Sequence, residues 1–543
     1  MTSGSPSVRW VEQYLKAKRL REAREKEERI KNISEEKRDG SVSGKANHQM
    51  TKEDCFMLEQ CSIYLPEMID PINKALSGLS QRPALTKGLL RYLRERKENE
   101  TCPGCGRDQL DHVLTIYRNG SKSDCRDCTQ AGISLCNLIP PSSDPFERKL
   151  QANVIGGIHR FGLKHHLVPA APIMVTWELT TQCNMGTCRH CHIKAETHGG
   201  SDSELTSPEA KGVVDQLADW GIGGIAFTGG ECLMRPDFLE LLGYATSRGL
   251  ACYMATNGLL LTPDTIRALK KAGLCLVHIS LDGSNEQTHD YFRGYPGSFA
   301  QVMKSTKDCL GQGLQVALAA TPTRVNASEM RDMLQLADSL QVDWFITYNY
   351  IPAGRGGVEL DLDIRQKDQL WSDLLEEAGH CRKTRWLPFA PQLSIFGKII
   401  GLNDKLSTTH YYEPLFASSY QTMLRSSTAC MAGRYYLAIK ADGRVVPCIF
   451  LPEEVGNVRN HKLADLWSDS QVLENLRDHD RIEGFCDHCA YSTSCGGCRA
   501  RARAYTGNYM ASDPHCPVAA RLAMGARPIH EANVGDYLHQ QGI

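Results

Sequence analysis

Three cysteines on one short segment are the residues of this chain best placed to hold a metal centre. The segment from Pro172 to His192 reads PIMVTWELTTQCNMGTCRHCH, and its apolar run ends just before Cys183, Cys188 and Cys191. Such a run predicts a buried strand, and functional loops follow the carboxyl ends of buried strands in α/β proteins. Three thiolates can share one centre, and a cubane iron–sulfur cluster on three cysteines keeps one iron without a protein ligand. The segment therefore predicts an iron–sulfur cluster with an open iron.

Two paired CxxC motifs predict a separate metal site nearer the amino terminus. Cys102 and Cys105 form one pair, and Cys125 and Cys128 form the other. Between them an alternating strand, VLTIYR, leads into an Asn-Gly turn, which is a hairpin signal. Two CxxC motifs joined by a hairpin form a tetrahedral tetrathiolate site in zinc ribbons and rubredoxin-like proteins. These four cysteines predict bound zinc, or a mononuclear iron as the alternative.

The composition limits the class of protein. A chain of 543 residues is too long for one core and predicts about two to four domains. Its 41% of apolar residues suit a globular protein, and a net charge of -1 gives no global preference for nucleic acid or an anionic membrane. MTSGSPSVRW lacks the apolar core of a secretory signal, and no apolar run reaches the roughly 18 residues of a transmembrane helix. We therefore expect a cytoplasmic protein, in which 22 cysteines indicate metal binding rather than disulfides.

From Pro172 onward the chain alternates short β-branched runs with helical segments, which predicts an α/β fold with a parallel sheet. The predicted strands are 173–179, 224–228, 250–255, 275–281, 315–321 and 343–350. Thr262 before Pro263 is a typical helix start between the third and fourth strands. Six such units with right-handed crossovers curl into part of a parallel barrel, whose sites lie at the carboxyl ends of the strands.

Polar and glycine-rich motifs follow the predicted strands at that end. Gly229, Gly230 and Glu231 follow the second strand. Paired glycines let the backbone approach a ligand closely, and a carboxylate beside them can take a ligand ammonium group. Polar side chains also follow the third to sixth strands: Asn257, Ser280, Asp282, Arg293, Thr321, Arg324, Asn326 and Arg355. Their recurrence at successive strand ends predicts one shared pocket.

These motifs resemble those of the radical S-adenosylmethionine (SAM) enzymes. The signature of that family is CxxxCxxC after the first strand of a partial (β/α)6 barrel, with GGE after the second strand. The resemblance implies a [4Fe–4S] cluster on Cys183, Cys188 and Cys191, with the open iron chelated by the methionine moiety of SAM. It implies these cofactor-binding residues: Gly229, Gly230, Glu231, Ser280, Asp282 and Asn326. It also implies reductive cleavage of SAM to a 5′-deoxyadenosyl radical, which the barrel positions and shields.

The spacing of the first two cysteines departs from the family signature. Four residues, 184–187, separate Cys183 from Cys188, where the signature has three. One of these four residues is a glycine, Gly186. A glycine there can let the loop bulge and leave the sulfur atoms in place. The alternative is an impaired site or a different metal centre.

The carboxyl-terminal cysteines resemble a SPASM domain, the auxiliary-cluster module fused to many radical SAM enzymes that modify peptides and proteins. CMAGRYYLAIKADGRVVPC predicts a hairpin with Asp442 and Gly443 at its turn, and CDHCAYSTSCGGCRARARAYTGNYMASDPHC follows. The resemblance implies one [4Fe–4S] cluster on Cys486, Cys489, Cys495 and Cys516. It implies a second on Cys430, Cys448 and Cys498, with either an open iron or a non-cysteine ligand. The sequence of this tail is most similar to that of the heme and heme d1 biosynthetic branch of the family.

The predicted organisation has six parts. They are a charged helical or disordered arm (1–52), a helical region with the CxxC ribbon (53–145), the radical SAM partial barrel (172–355), a bridging helical region (356–425), the SPASM domain (426–520) and a tail (521–543). The expected function is hydrogen abstraction from a peptide, protein or tetrapyrrole, with two auxiliary clusters for electron transfer or substrate binding. A flavodoxin or ferredoxin would supply electrons. The alternatives are a radical enzyme acting on lipid or small-molecule C–H bonds and a non-catalytic electron carrier, although the intact GGE motif argues against a carrier.

Overall fold

The structure is a computed structural model that describes residues 145–161, 168–197, 202–393, 430–487 and 495–514, together with Leu114, Cys489, Ser492 and Cys516. The predicted arm (1–52), the tail (521–543) and the four cysteines of the CxxC ribbon lie outside these residues. Among the described helices, none is long and apolar enough to cross a membrane.

A single ten-stranded sheet forms the centre of the described chain. Its strands are β1 (Met174–Glu178), β2 (Gly224–Thr228), β3 (Ala251–Thr256), β4 (Leu274–Ser280), β5 (Gln315–Ala320), β6 (Trp344–Tyr348), β7 (Arg385–Phe389), β8 (Tyr436–Ile439), β9 (Arg444–Val446) and β10 (Gly456–Asn457). Their spatial order is β10-β9-β8-β1-β2-β3-β4-β5-β6-β7. Strands β1 to β7 are all parallel, and β8 joins β1 in parallel before turning back antiparallel into β9.

Helices alternate with the strands and then follow the sheet. They are α1 (Pro145–Phe161), α2 (Ser207–Trp220), α3 (Phe238–Ser247), α4 (Pro263–Lys271), α5 (Glu286–Arg293), α6 (Ser298–Gly311), α7 (Met330–Ser339), α8 (Ile364–Ala378), α9 (Leu463–Asp469), α10 (Gln471–Arg477) and α11 (Arg499–Thr506). Helix α4 begins as predicted, because the Thr262 hydroxyl accepts a hydrogen bond from the Thr265 amide at 3.1 Å. Helix α2 begins with a capping box between Thr206 and Glu209.

The six predicted strands of the barrel are confirmed, each to within two residues at either end. Strands β7 and β10 were not anticipated. The bridging region, predicted to be helical, contains helix α8 but also supplies β7, whose RWLPF sequence buries Trp386, Leu387 and Phe389. The predicted carboxyl-terminal hairpin forms around Gly443, which has a φ of +84°, and its first strand extends the barrel sheet beside β1. The barrel and the SPASM region therefore share one sheet.

The two faces of the strands differ in side-chain size. Residues that face the helices are large and fully buried, as in Trp177, Phe227 and Leu318. Residues that alternate with them include Ala226 and Ala255, which face the barrel interior. Burial of the large outward side chains stabilises the fold, at about 1.5–3 kcal/mol for each fully buried Leu- or Phe-sized group. The small inward side chains leave a cavity where a closed barrel would be filled.

A buried ion-pair network joins helix α11 to the barrel side of the molecule. The Arg501 guanidinium is fully buried, with Nη2 2.8 Å from Asp361 Oδ2 and Nε 3.1 Å from Asp513 Oδ1. Lys367 Nζ lies 3.0 Å from Asp361 Oδ1, so two cations face two carboxylates. Burial lowers the pKa of Lys367 to about 8. Asp513 Oδ2 also accepts a hydrogen bond from the amide of Cys498 at 2.9 Å, which connects the network to a predicted cluster cysteine.

Candidate iron–sulfur and SAM site

The loop after β1 brings Cys183, Cys188 and Cys191 to one wall of a cavity at the carboxyl ends of the strands. The four-residue gap forms a bulge at Gly186, which adopts a left-handed φ of +63° as expected for a glycine in an extended loop. Burial raises the pKa of the Cys183 thiol, and the backbone amides of Gly186 and Met185 oppose that rise by donating to its sulfur. The bulge thus supplies N–H groups to the first cysteine.

Each of the three sulfur atoms accepts a hydrogen bond from a different part of the site. Asn257 Nδ2 lies 3.8 Å from Cys183 Sγ, and Arg293 Nη1 lies 3.5 Å from Cys188 Sγ. The Ala195 amide donates to Cys191 Sγ at 3.3 Å. Donors aimed at sulfur stabilise the thiolate form that binds metal. The sequence marked Asn257 and Arg293 only as polar groups near strand ends, and the structure gives them contacts with the cysteines.

Gly229 and Gly230 line the cavity and also pack against the backbone that leads into the cysteine loop. The Gly230 amide donates to Thr180 O at 2.7 Å, and the next amide donates to Gln182 O at 2.8 Å. A Cβ atom on Gly230 would lie 2.1 Å from Gln182 O, and one on Gly229 would lie 2.4 Å from Thr180 O. No side chain fits there without movement of the backbone, so the two glycines fix the loop that presents the cysteines.

Glu231 lies behind the cavity wall, with no exposed surface. Its Oε2 accepts hydrogen bonds of 2.8 Å from the Thr256 hydroxyl and from the Asn257 amide. Burial raises the pKa of this carboxyl, although these bonds oppose the rise. In this structure Glu231 joins the end of β2 to the end of β3 and positions Asn257, the donor to Cys183. Its predicted contact with the methionine end of SAM remains a prediction.

Ser280 and Asp282 line the cavity at the end of β4, as predicted. Asp282 is buried, and its Oδ2 lies 2.9 Å from Arg293 Nε and 3.6 Å from His190 Nε2. Burial raises the pKa of Asp282, but Arg293 and His190 outweigh it, so the pKa lies below its usual range. Asn326 lies behind the cavity and holds the loop, donating to Asp282 O at 3.1 Å. Among these residues, Ser280 and Asp282 have direct access to a ligand.

One cavity of about 250 Å³ extends from the cysteine loop into the barrel. The three cysteines line it, and so do four aromatic residues, Tyr348, Phe389, Tyr436 and Phe450. Arg355 also lines the cavity, where it contacts the cysteine loop: it donates through Nε to Cys188 O at 2.9 Å and through Nη1 to Ala195 O at 3.0 Å.

The predicted second auxiliary set converges at the edge of this cavity. Cys430, Cys448 and Cys498 line a smaller cavity of about 20 Å³. The aromatic residues Tyr348, Phe389, Tyr436 and Phe450 line both cavities, which therefore share a wall. Burial raises the pKa of Cys448 to about 12, and the nearby Cys430 contributes to the rise. These three cysteines, which are distant in sequence, therefore lie next to the larger cavity that Cys183, Cys188 and Cys191 line.

The other auxiliary set is grouped around the glycines at 496 and 497. Burial raises the pKa of Cys495 strongly, and the neighbouring thiols of Cys516 and Cys486 contribute. The Gly497 amide donates to Cys495 Sγ at 3.3 Å, and the Cys489 amide donates to Cys486 O. The structure places these cysteines in one neighbourhood, as the motif predicted.

A polar bridge between the two cysteine regions escaped sequence reasoning. Glu178, at the end of β1, is buried, and its Oε1 lies 2.8 Å from Lys440 Nζ and 3.2 Å from His192 Nε2. Lys440 also donates to Ile449 O at 2.9 Å, next to Cys448. Glu178 and Lys440 meet because β1 and β8 are neighbours, a pairing between residues more than 250 positions apart that no local pattern signals.

A partial parallel barrel with a three-thiol loop at its carboxyl rim defines a cluster-binding enzyme of the radical SAM type. The family model for the radical SAM superfamily matches residues 177–337, and the model for the SPASM iron–sulfur cluster-binding domain matches residues 430–490. The chain belongs to the radical SAM superfamily. Membership in these families implies [4Fe–4S] clusters and SAM binding.

Relatives with assigned activities are similar over about two thirds of the chain. The AdoMet-dependent heme synthase of Methanosarcina barkeri is 31% identical over 64% of this chain and 96% of its own length. The mycofactocin maturase MftC of Mycobacterium tuberculosis is 29% identical over 64% of this chain and 83% of its own. The crystal structure of Streptococcus suis SuiB bound to S-adenosylmethionine is similar in fold, with a TM-score of 0.55 at 17% identity, over 76% of this chain and 93% of that one.

The residues of the first site fit the cluster that the family implies. Among the described residues, no three His, Cys, Asp or Glu side chains are arranged to hold a single metal ion. The fit depends instead on the donor set, which is three thiols from one loop, each with an N–H group directed at its sulfur. Soft thiolate ligands select iron–sulfur clusters, and hydrogen bonds to sulfur tune them.

Proposed function

We propose that this chain uses SAM to generate a radical at the cluster held by Cys183, Cys188 and Cys191, and that its substrate is an iron tetrapyrrole with carboxylate side chains. When bound, the cluster and SAM supply one-electron chemistry that yields a 5′-deoxyadenosyl radical. The single observation that supports the proposal most is the continuous cavity from the cysteine loop to the aromatic wall beside Cys430 and Cys448.

The residues of the chain have separate roles in this proposal. The three cysteines hold the cluster, and Gly229 and Gly230 fix the loop and leave its backbone open to the methionine end of SAM. The Asp282–Arg293 pair lies between the end of β4 and Cys188, with the carboxylate fixed by the Thr321 amide at 3.0 Å. Ser280 and Asp282 are therefore placed to receive the ribose or amino group of SAM. The buried walls exclude water from a reactive intermediate.

The auxiliary cysteines have a role in the proposal that follows from their position. A cluster on Cys430, Cys448 and Cys498 would lie behind the aromatic residues that both cavities share. It could accept an electron from the substrate radical, or bind the substrate through an iron without a cysteine ligand. A second cluster on Cys486, Cys489, Cys495 and Cys516 would continue the path toward the surface. We propose further that Cys102, Cys105, Cys125 and Cys128 bind zinc, and that a flavodoxin or ferredoxin supplies electrons.

Two observations favour a tetrapyrrole. The relative from Methanosarcina barkeri, of which this chain covers 96%, is named for heme synthesis. The cavity also combines flat aromatic side chains with the guanidinium of Arg355, whose bonds are to backbone carbonyls and leave its charge without a carboxylate partner in the described region. Aromatic faces suit a flat macrocycle, and an arginine suits a carboxylate. A peptide is the second candidate, because the mycobacterial relative is named as a maturase.

The test uses the full chain with its clusters reconstituted, SAM and a chemical reductant. Iron coproporphyrin III is the tetrapyrrole probe, and 5′-deoxyadenosine and the mass of the porphyrin are followed together. We expect 5′-deoxyadenosine above the level of a Cys183→Ala variant, and loss of mass from the porphyrin only when SAM is present. A chain that forms 5′-deoxyadenosine but leaves the porphyrin unchanged would overturn the tetrapyrrole assignment, and absence of 5′-deoxyadenosine would overturn the radical activity itself.

A further inference from the structure

The interior of this barrel is open along strands β2, β3 and β5. In closed parallel barrels the inward positions are filled in layers by bulky branched side chains. Here the inward positions that line the cavity include Ala226 on β2, Ala255 on β3 and Ala319 on β5. Three short side chains on three strands create depth below the cysteine loop, so a bound molecule can extend into the barrel.

Two larger polar side chains lie among these alanines. Tyr253 on β3 and His278 on β4 both line the cavity. The register of the sheet places His278 beside Ala255 on one side and Ala317 on the other, while Tyr253 lies beside Leu276, one inward position deeper. The two side chains therefore occupy neighbouring positions on the inner face, and each has an alanine beside it on an adjacent strand, Ala226 for Tyr253 and Ala255 for His278.

Tyr253 and His278 each have a polar atom without a hydrogen-bond partner among the described residues. Tyr253 Oη and His278 Nε2 are buried and make no hydrogen bond among the described residues. Burial lowers the pKa of His278 to about 4, so the imidazole is neutral near pH 7. A neutral imidazole can donate a hydrogen bond from one of its nitrogens. Buried polar groups are nearly always hydrogen-bonded, and a pair left unsatisfied on a cavity wall indicates a ligand that completes it.

We propose that Tyr253 and His278 form a polar subsite at the deep end of the cavity, donating hydrogen bonds to a carboxyl oxygen of the tetrapyrrole substrate. This inference rests on the proposed function and adds the part of the site that orients the substrate. Two neutral donors on neighbouring strands hold an anionic oxygen without placing a second cation in the barrel interior. They are positioning residues, because they fix which substituent of the macrocycle faces the cysteine loop.

An ordered water is the competing occupant. Gln315 Oε1, on the inner face of β5 beside Leu276, is also buried without a hydrogen bond among the described residues. A water needs two to four polar partners, and Tyr253 together with Gln315 could supply them. The two occupants predict different effects, because removal of a water site changes stability, whereas removal of a substrate contact changes affinity.

The test measures binding of iron coproporphyrin III by absorbance to the full chain without SAM, alongside thermal unfolding of the same samples. The variants are Tyr253→Phe, which removes only a hydroxyl, His278→Leu, and His278→Gln, which restores an N–H donor. We expect the dissociation constant to rise about tenfold in Tyr253→Phe and His278→Leu and to recover in His278→Gln, since one hydrogen bond to a charged group is involved. Tyr244→Phe is the control, because that hydroxyl bonds Asp215 on the outer helices.

Each other outcome counts against the proposal. Affinities within twofold of the wild type would overturn the subsite, and lower melting temperatures with unchanged affinity would assign the pair to an ordered water. Failure of His278→Gln to recover binding would show that the imidazole acts through packing rather than donation. A wild-type chain that cleaves SAM but binds no porphyrin would overturn the proposed substrate, and the subsite with it.

Discussion

The two regions that present cysteines to the cavity are built in different ways. Cys183, Cys188 and Cys191 come from nine consecutive residues, and their loop is fixed by backbone hydrogen bonds to the glycines after β2. Cys430, Cys448 and Cys498 come from segments as far as 68 positions apart, and their regions are held by the pairing of β8 with β1 and by the ion pairs of Arg501 on helix α11. The first site depends on local backbone geometry, and the second depends on tertiary contacts. Substitutions should therefore affect one of the two sites without the other.

Removal of one cysteine from each set should have the largest effect and separate the two sites by function. We expect Cys183→Ala to reduce 5′-deoxyadenosine formation by about a hundredfold or more, because the cluster that binds SAM is lost. Cys498→Ala should leave SAM cleavage within about threefold while product formation falls, because the role that we propose for the auxiliary site concerns the substrate rather than SAM. Iron analysis and electron paramagnetic resonance of both variants check cluster loss.

Cys381→Ser is the control for these variants, since Cys381 lies outside both sets and its thiol donates a hydrogen bond to Glu377 O at 3.6 Å. Equal loss of SAM cleavage in Cys183→Ala and Cys498→Ala would contradict the division of the two sites.

Loss of the buried arginine should be the most damaging change to the assembled region. Arg501→Met leaves Asp361 and Asp513 buried without their shared cation, so we expect the free energy of unfolding to fall by about 3–5 kcal/mol. Arg503→Met, on the same helix, removes a partly exposed pair with Glu453 and should cost at most about 1 kcal/mol. Chemical denaturation of both variants measures the difference. Similar costs would show that the buried network does not stabilise the junction.

The contrast between local and tertiary contacts also explains what could be predicted from sequence. The cysteine loop, the strands and the turn at Gly443 follow from patterns within about ten residues, and the structure confirms them. The position of Glu231 behind the wall could not be predicted, because its partners Thr256 and Asn257 belong to the next strand. The Glu178–Lys440 bridge and the Arg501 network depend on contacts between residues more than 130 positions apart, for which one sequence has no periodic signal.

A single methyl group should be enough to disturb the local site. Gly230→Ala places a Cβ 2.1 Å from Gln182 O, so the cysteine loop must move, and we expect a loss of about 1–3 kcal/mol in stability. SAM cleavage should fall more than the auxiliary cluster content, because the displaced backbone belongs to the first site. Gly243→Ala is the matched control. A Cβ atom at this position on helix α3 would meet no neighbouring group within 4 Å, so we expect the free energy of unfolding to rise by about 0.5–1 kcal/mol. Wild-type SAM cleavage by Gly230→Ala would contradict the assigned role of the glycine.

The smallest expected effect concerns a surface contact between the barrel and the segment after the hairpin. Arg459 Nε lies 2.6 Å from Glu209 Oε1, at the first turn of helix α2. The hydrogen bond from Arg459, followed by those from the amide and hydroxyl of Thr206, lowers the pKa of Glu209 from 4.5 to about 2. Because the folded pKa lies below the unfolded one, this carboxylate stabilises the fold above pH 4.5, and the contribution is lost as the pH falls toward 2.

Glu209→Gln removes the charge and keeps the capping box, since glutamine can occupy that position. Screening by solvent limits the effect, so we expect at most about 1 kcal/mol at pH 7, decreasing with added salt. The variant should also have a shallower loss of stability between pH 4.5 and 2, measured by urea denaturation at each pH. Glu240→Gln is the control, because its pair with Lys211 joins two barrel helices and does not reach the SPASM region. If both variants lose stability between pH 4.5 and 2 in the same way as the wild type, the Arg459 contact adds nothing to the assembly of the second site. The junction would then be held by its buried contacts alone.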